Sequence, residues 1–361
     1  MPYLEPIDPV IVQAEPLRRW TADLLERIGT PPEIAADVAE VLVAADLRGI
    51  ASHGTARLPS YVALVEAGVL EPAARPARVG GRGAIALFDA GNGWGHHAGR
   101  VAMDDCIDRA TETGVAVSVV RNTNHYGIAG WYAMRALAKR MIGVSLTNAS
   151  PLIAPTRARV PMIGTNPIAV AVPAGRHGGI VLDMATSTVS RGQVEVAGRR
   201  GDTLRADWAI APDGSPARTV EEALAGALQP LGGDEQGRGY KGYGLALVVD
   251  LLSGLLPGAS YGPHILGLFS TEGPSELGHF FMAIDPAAVG DAAEFEGRAE
   301  EYIDLLAAAP TIPGAPGPVL YPGQLEAERA ERNARSGIPI DREHHAGLVA
   351  LGERLGVPFG T

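Results

Sequence analysis

A single cysteine, Cys106, occurs in the 361-residue chain, so neither an internal disulfide framework nor a cysteine-rich zinc site is available, as befits a reducing compartment. Basic residues are in the minority: 30 Lys and Arg stand against 41 Asp and Glu, a net charge of −11. That surplus argues against nucleic acid or an anionic membrane as the main partner, while a local basic pocket can still hold a small anion. Long apolar runs are missing as well. The most apolar stretch, Tyr243 to Leu256, is interrupted by Asp250 and falls short of the ~20 residues that a spanning helix requires. No basic segment followed by an apolar one opens the chain, so no secretory signal is expected. These absences predict a soluble cytoplasmic protein, and 46% apolar with 20% charged residues suffices to build a core.

Standard nucleotide and hydrolase signatures are also missing. Gly91-Asn92-Gly93-Trp94-Gly95-His96 starts like a dinucleotide loop but ends in His96 and follows a poor strand, Phe88-Asp89-Ala90, so a turn is the better reading. There is no P-loop and no Gly-x-Ser-x-Gly elbow. The histidine pairs His96-His97 and His344-His345 are adjacent, and neighbours do not share a helical face, so no metal is expected.

The pattern that is present suggests two units. Thr30-Pro31-Pro32-Glu33 reads as a helix start with a capping Thr30, followed by Ile34, Val38, Val41, Leu42 and Ala45 at helical spacing and by Gly49 as a stop. A further helix is expected from Ser52 towards Ala67, with Pro59 as a kink. Between about 76 and 310, helices near 97–113 and 128–140 alternate with strands at Val115–Val120, Ile142–Leu146, Ile168–Val172, Ile180–Leu182 and Phe280–Ile284, an α/β texture. After a Pro/Gly-rich linker come two helices at about 324–335 and 341–355. The expected division is therefore a helical domain made from both chain ends, 1–75 and 310–361, and an α/β domain, 76–309.

Four clusters carry candidate chemistry. On a helix from Ser52, His53, Arg57 and Tyr61 recur every four residues and share a face. Arg57 then suits a carboxylate clamp, and His53, which titrates near neutrality, suits protonation of a forming alkoxide, although the stripe also fits a solvated helical face. Asn122-Thr123-Asn124-His125-Tyr126-Gly127 follows a buried strand, where α/β proteins place ligand contacts, or is simply an Asn-rich turn. Ile163-Gly164-Thr165-Asn166-Pro167 precedes a strand, and Asp183-Met184-Ala185-Thr186-Ser187 ends one; Thr186 or Ser187 is the expected cap of the next helix, whose free N–H groups suit a pyrophosphate. Lys241 at the start of an apolar helix opposes the helix dipole, which points to an anionic partner.

The order Asp46-x-Arg48-Gly49-x-x-Ser52-His53-Gly54-x-x-Arg57, Asn124-His125-Tyr126-Gly127, Gly164-Thr165-Asn166-Pro167, Asp183-Met184-Ala185-Thr186-Ser187, Lys241-Gly242-Tyr243-Gly244 and Gly278-His279-Phe280-Phe281 resembles the type 2 malate/L-lactate dehydrogenase family, over about residues 15 to 355. That family also contains ureidoglycolate, sulfolactate, diketogulonate and piperideine-2-carboxylate oxidoreductases. The resemblance implies a cytoplasmic homodimer with a non-Rossmann, mixed-sheet NAD(P)-binding domain beside the helical domain. It implies hydride transfer between NAD, or alternatively NADP, and a small 2-oxo or 2-hydroxy carboxylate, or else reduction of a cyclic imino acid. By the same resemblance His53 is the proton donor, Arg57 the carboxylate clamp and His125 a catalytic partner. Arg48, Ser52 and Tyr61 would line the substrate, and Thr165, Asn166, Asp183, Met184, Ala185, Thr186 and Lys241 would lie along the dinucleotide.

Overall fold

In the computed structural model, which describes Pro6 and residues 8–360, the two ends of the chain meet in one helical layer. Strand β1 (Pro9–Val12) runs antiparallel to β11 (Ile338–Asp341), with Val12 opposite Ile338. Around this tie pack α1 (Ala14–Arg27), α2 (Pro32–Leu47), α3 (Leu58–Glu66), α10 (Gln324–Ser336) and α11 (Arg342–Leu355). Leu17, Leu24, Ile34, Leu42, Leu58, Tyr61, Ile340 and Leu348 fill their common core. Helix α2 is apolar on most of its circumference because it serves two cores: Ile34, Val38 and Leu42 face this layer, whereas Val41, Ala44 and Ala45 face the sheet.

The sheet has seven strands in the order β2-β3-β4-β10-β5-β6-β7, namely β2 (Ala77–Gly80), β3 (Ile85–Gly93), β4 (Val115–Thr123), β10 (Leu277–Ile284), β5 (Ile142–Thr147), β6 (Ile168–Pro173) and β7 (Gly179–Met184). β3 and β4 are parallel, joined by α4 (Gly95–Thr113), and the other neighbours are antiparallel, so the sheet is mixed. Cys106 on α4 is buried in this core, its thiol directed at the Ala116 carbonyl. α5 (Ala129–Arg135), with a 3-10 turn over Ala136–Lys139, covers β5 and β6. A smaller cluster of Ile153, Val194, Leu204 and Leu228 gathers α6 (Arg191–Arg200), α7 (Val220–Ala225) and the short pair β8 (Ala209–Ile210) and β9 (Ala227–Leu228). α8 (Tyr240–Asp250) runs into a π-turn at Leu251–Leu255, and α9 (Ala292–Ala307) starts on the cap Asp291. Among the described residues no helix is long and apolar enough to cross a membrane.

Four local expectations are corrected. Thr30 does not cap α2: Pro31 occupies the cap position, and the Thr30 hydroxyl accepts from the Trp94 indole at 3.2 Å. Two successive prolines, at the cap and the first helical position, leave the helix start with two fewer donors to satisfy. The helix expected from Ser52 is broken into 3-10 turns at Ala51–His53 and Thr55–Arg57, separated by extended Gly54, before α3 begins at Leu58. Pro59 therefore sits in the first turn of α3, where its missing N–H costs nothing, and no kink results. Phe88-Asp89-Ala90 is not a poor strand but the middle of β3, stabilised by partners on both sides. Ser190, not Thr186 or Ser187, caps α6, in a reciprocal box with Gln193.

Candidate active site

The chain from Arg48 to Arg57 is not one continuous helix, and two 3-10 turns flanking Gly54 hold His53 and Arg57 on either side of it. Ser52 serves both. Its hydroxyl lies 2.9 Å from His53 Nδ1, and its carbonyl accepts from Arg57 Nε at 2.6 Å. That bond folds the guanidinium back and leaves both terminal nitrogens without a protein partner among the described residues. The guanidinium carbon lies 5.3 Å from the centre of the Phe269 ring, a cation–π contact that fixes its plane.

His125, just beyond β4, stacks on His53 with ring centres 5.4 Å apart. Its Nδ1 receives the Gly127 N–H at 3.3 Å and stands 2.6 Å from the Tyr61 hydroxyl. An atom that accepts from a backbone N–H carries no proton, so Tyr61 donates to it and the His125 proton resides on Nε2. Tyr61 is itself buried between Trp94, His96 and Phe269. Burial, followed by the Arg57 charge, pushes His53 down to about 4. Burial first and then the neighbouring His53 hold His125 well below its ordinary value, and burial raises Tyr61. The site thus presents two neutral imidazoles, a neutral phenol and a permanent cation. Neutral imidazole accepts a proton, and a carboxylate bound by Arg57 would offset the Arg57 repulsion that adds to burial in keeping His53 uncharged.

Arg48 and Asp183 lie together elsewhere. The Arg48 guanidinium reaches the Met134 sulfur at 3.3 Å, and the nearby Asp183 charge counters its desolvation. Asp183, at the end of β7, accepts the Gly130 N–H at 2.7 Å and so caps α5; a Cβ at Gly130 would strike its carboxylate. A cleft of about 330 Å³ opens beside Arg48, walled by Arg18, Glu40, Trp131 and Arg135. Asn166 is fully buried, bonded to Ala149 and Ala246, and Thr186 donates to the Thr165 carbonyl at 2.9 Å. These side chains hold loops in place. Met184 and Ala185 between them are only partly buried. Lys241 is exposed in the first turn of α8, which has no side-chain cap and no acidic residue there. An exposed cation at a helix start suits an anionic group such as a diphosphate.

The loop at Gly91–His96 offers no phosphate cradle: Trp94 is buried, and a Cβ at Gly95 would lie 2.0 Å from the Asn124 carbonyl. Among the described residues no group of three or more His, Cys, Asp or Glu is placed to hold a metal. Phe269, His96, Asp46 and His344 escaped the reading of the sequence as site residues. Phe269 lies in an irregular segment without periodic signal, and the spacing of the histidine pairs speaks only to metal ligation.

The chain belongs to the malate/L-lactate dehydrogenase family, whose model matches residues 12–349. It is therefore an oxidoreductase of a dehydrogenase class. It is 40% identical over 352 residues to "Malate dehydrogenase" of Pyrococcus abyssi, covering 96% of each chain. It is 32% identical over 335 residues to "L-sulfolactate dehydrogenase" of Methanothermobacter thermautotrophicus, covering 93% of this chain and 94% of that one. The solved malate dehydrogenase from Pyrococcus horikoshii OT3 superposes with a TM-score of 0.90 at 35% identity, covering 98% and 97% of the two chains.

Proposed function

We propose that this protein interconverts a small 2-oxo carboxylate and its 2-hydroxy acid, with a nicotinamide dinucleotide as the redox partner. The observation that carries the reading is the arrangement across Gly54: an Arg57 fork whose two ends have no partner among the described residues, close enough for its charge to act on a neutral His53. Bound nicotinamide supplies or takes up the hydride at the substrate carbon. Arg57 grips the substrate carboxylate in a bidentate pair, which fixes the carbonyl relative to His53. His53 gives a proton to the oxygen during reduction and removes it during oxidation. His125, whose tautomer is set by Tyr61, directs an Nε2–H donor into the same space. Ser52 orients both His53 and Arg57.

On this reading Lys241 meets the dinucleotide phosphates, Met184 and Ala185 flank it, and Thr165, Asn166, Asp183 and Thr186 shape its seat, with Arg48 completing the charge balance around Asp183. NAD is favoured over NADP. Arg176, the cation before β7 that would greet a 2′-phosphate, is already paired with Glu300 and Asp304. The named substrates of the two relatives above, malate and sulfolactate, each carry a second negative group, so a 2-oxo acid with a second anion is the first candidate. The division into a helical unit from both ends and a mixed-sheet cofactor unit fits the separate cores. Exposed Leu245, Val248, Leu251 and Leu255 along α8 and its π-turn suit burial against a second copy, as in a homodimer.

The test is NADH and NADPH oxidation across pyruvate, oxaloacetate, sulfopyruvate and piperideine-2-carboxylate. Turnover of a 2-oxo acid that is lost in His53→Ala, with chiefly a raised KM in Arg57→Lys, is expected because a point cation does not reproduce the fork. Turnover of the cyclic imine alone would replace the reading by imino-acid reduction, and unchanged kinetics in both variants would remove these assignments.

A further inference from the structure

We infer that Asp46, Thr55 and His344 are positioning residues, a hydrogen-bonded strap that clamps the segment carrying His53 and Arg57 between α2 and the C-terminal helix α11. The inference rests on the chemistry just proposed for that segment. Asp46 lies in the last turn of α2 and is 3% exposed. Its Oδ2 accepts both the Thr55 N–H at 3.0 Å and the Thr55 hydroxyl at 2.7 Å. Since that hydroxyl gives its one proton to Asp46, it is the acceptor towards His344, whose Nε2 stands 3.1 Å away on α11. Donation therefore runs from His344 through Thr55 to Asp46.

Thr55 is two residues from His53 and two from Arg57, and it is fully buried, so no substrate reaches its hydroxyl and its role is mechanical. Gly54 lies flat on the carboxylate: a Cβ there would sit 1.8 Å from Asp46 Oδ1. A second C-terminal contact holds the other end of the segment, where Asn333 on α10 donates to the Leu47 carbonyl at 2.9 Å. Burial raises the Asp46 carboxyl to about 7 and lowers His344 to about 4, so the strap works as a chain of hydrogen bonds and does not depend on a full ion pair. Residues almost 290 positions away thereby set the distance between imidazole and guanidinium.

The experiment compares Thr55→Val, which removes the hydroxyl at nearly constant volume, with Thr55→Ser, which keeps it, and His344→Phe with His344→Gln, which keeps an N–H donor. The readouts are kcat and KM for the 2-oxo acid, NADH affinity by fluorescence, and amide exchange across residues 51–58. Misplacement by up to about 1 Å costs on the order of 10- to 100-fold in turnover. Thr55→Val and His344→Phe should therefore lose about that much kcat with faster exchange in 51–58 and unaltered NADH affinity, whereas the Ser and Gln variants return to near wild type. Wild-type kcat and exchange in Thr55→Val overturn the strap, as does a Ser variant no better than Val. If Thr55→Val does not fold, the His344 pair decides in the same way. A wild-type enzyme that turns over no 2-oxo acid defeats the proposed function. Exchange then still decides the strap: faster exchange in the Val variant upholds it, and unchanged exchange overturns it.

Discussion

His279 on β10 offers a stability test whose size follows from the structure. The ring is fully buried, stacked 4.4 Å from Tyr126, and its Nδ1 lies 2.8 Å from the Thr147 hydroxyl. Burial pushes it down to about 3, whereas in the unfolded chain it titrates near its ordinary 6.5. Below pH 6.5 the unfolded state therefore binds a proton that the folded state refuses, so stability falls as pH falls, until the folded value is reached. At about 1.4 kcal/mol per pH unit, going from pH 7.5 to 4.5 costs on the order of 2–3 kcal/mol through this residue alone, a sizeable part of the ~5–15 kcal/mol typical of a domain. His279→Phe keeps the aromatic stack, and Thr147 retains the Asn148 and Gly278 carbonyls as acceptors. The variant should lose about 1 kcal/mol at pH 7.5 for the missing hydrogen bond. By pH 4.5 it should overtake wild type by 1–2 kcal/mol. Urea unfolding at the two pH values measures both. The comparison between the two chains cancels the titrating groups remote from His279, including Asp46, whose raised value works in the opposite sense; His96 and His125, which the His279 charge also holds down, are relieved in the variant and add to its gain at low pH. Parallel stability curves for variant and wild type would refute the argument.

Three further outcomes follow from the same geometry. With His53 held near 4 in the free enzyme, kcat/KM for reduction should fall about tenfold per pH unit above pH 5, whereas oxidation, which needs the neutral ring, should stay level there; level profiles in both directions would remove His53 from proton transfer. Lys241→Ala should weaken dinucleotide binding about tenfold by fluorescence titration. The same change should leave the melting temperature the same or slightly higher, since a cation at a helix start opposes the dipole. Gly54→Ala should destabilise by about 1–3 kcal/mol in thermal unfolding, from the collision with Asp46 rather than from backbone strain, because its φ of −94° suits alanine.

Regular elements were legible where local pattern and burial agree. Val115–Val120 and Ile142–Leu146 became β4 and β5 with small extensions, because short, mostly apolar runs rich in Val and Ile announce largely buried strands. Where backbone geometry depends on a distant group, local signals misled. The periodicity of His53, Arg57 and Tyr61 suggested one helical stripe, yet Gly54 is extended against Asp46, and Tyr61 meets the other two through His125 rather than along a shared face. The strand at Phe88 was hidden because its polar Asp89 is bonded to Arg121 and Asn122 of β4, partners that no window around Asp89 contains.

Residue types, their order along the chain and the charge balance are properties of the sequence, and from them alone came the α/β texture, the helical ends and the dehydrogenase family, which the match over residues 12–349 bears out. What the sequence could not contain is distance. The late strand β10 enters the sheet between β4 and β5, His344 closes on Thr55, and Phe269 slides beneath Arg57. Each of these pairings joins segments remote in the chain, and each is chosen by which apolar faces can be buried together. That choice belongs to the folded whole, because loop closure between distant segments is repaid only when all of the core forms at once.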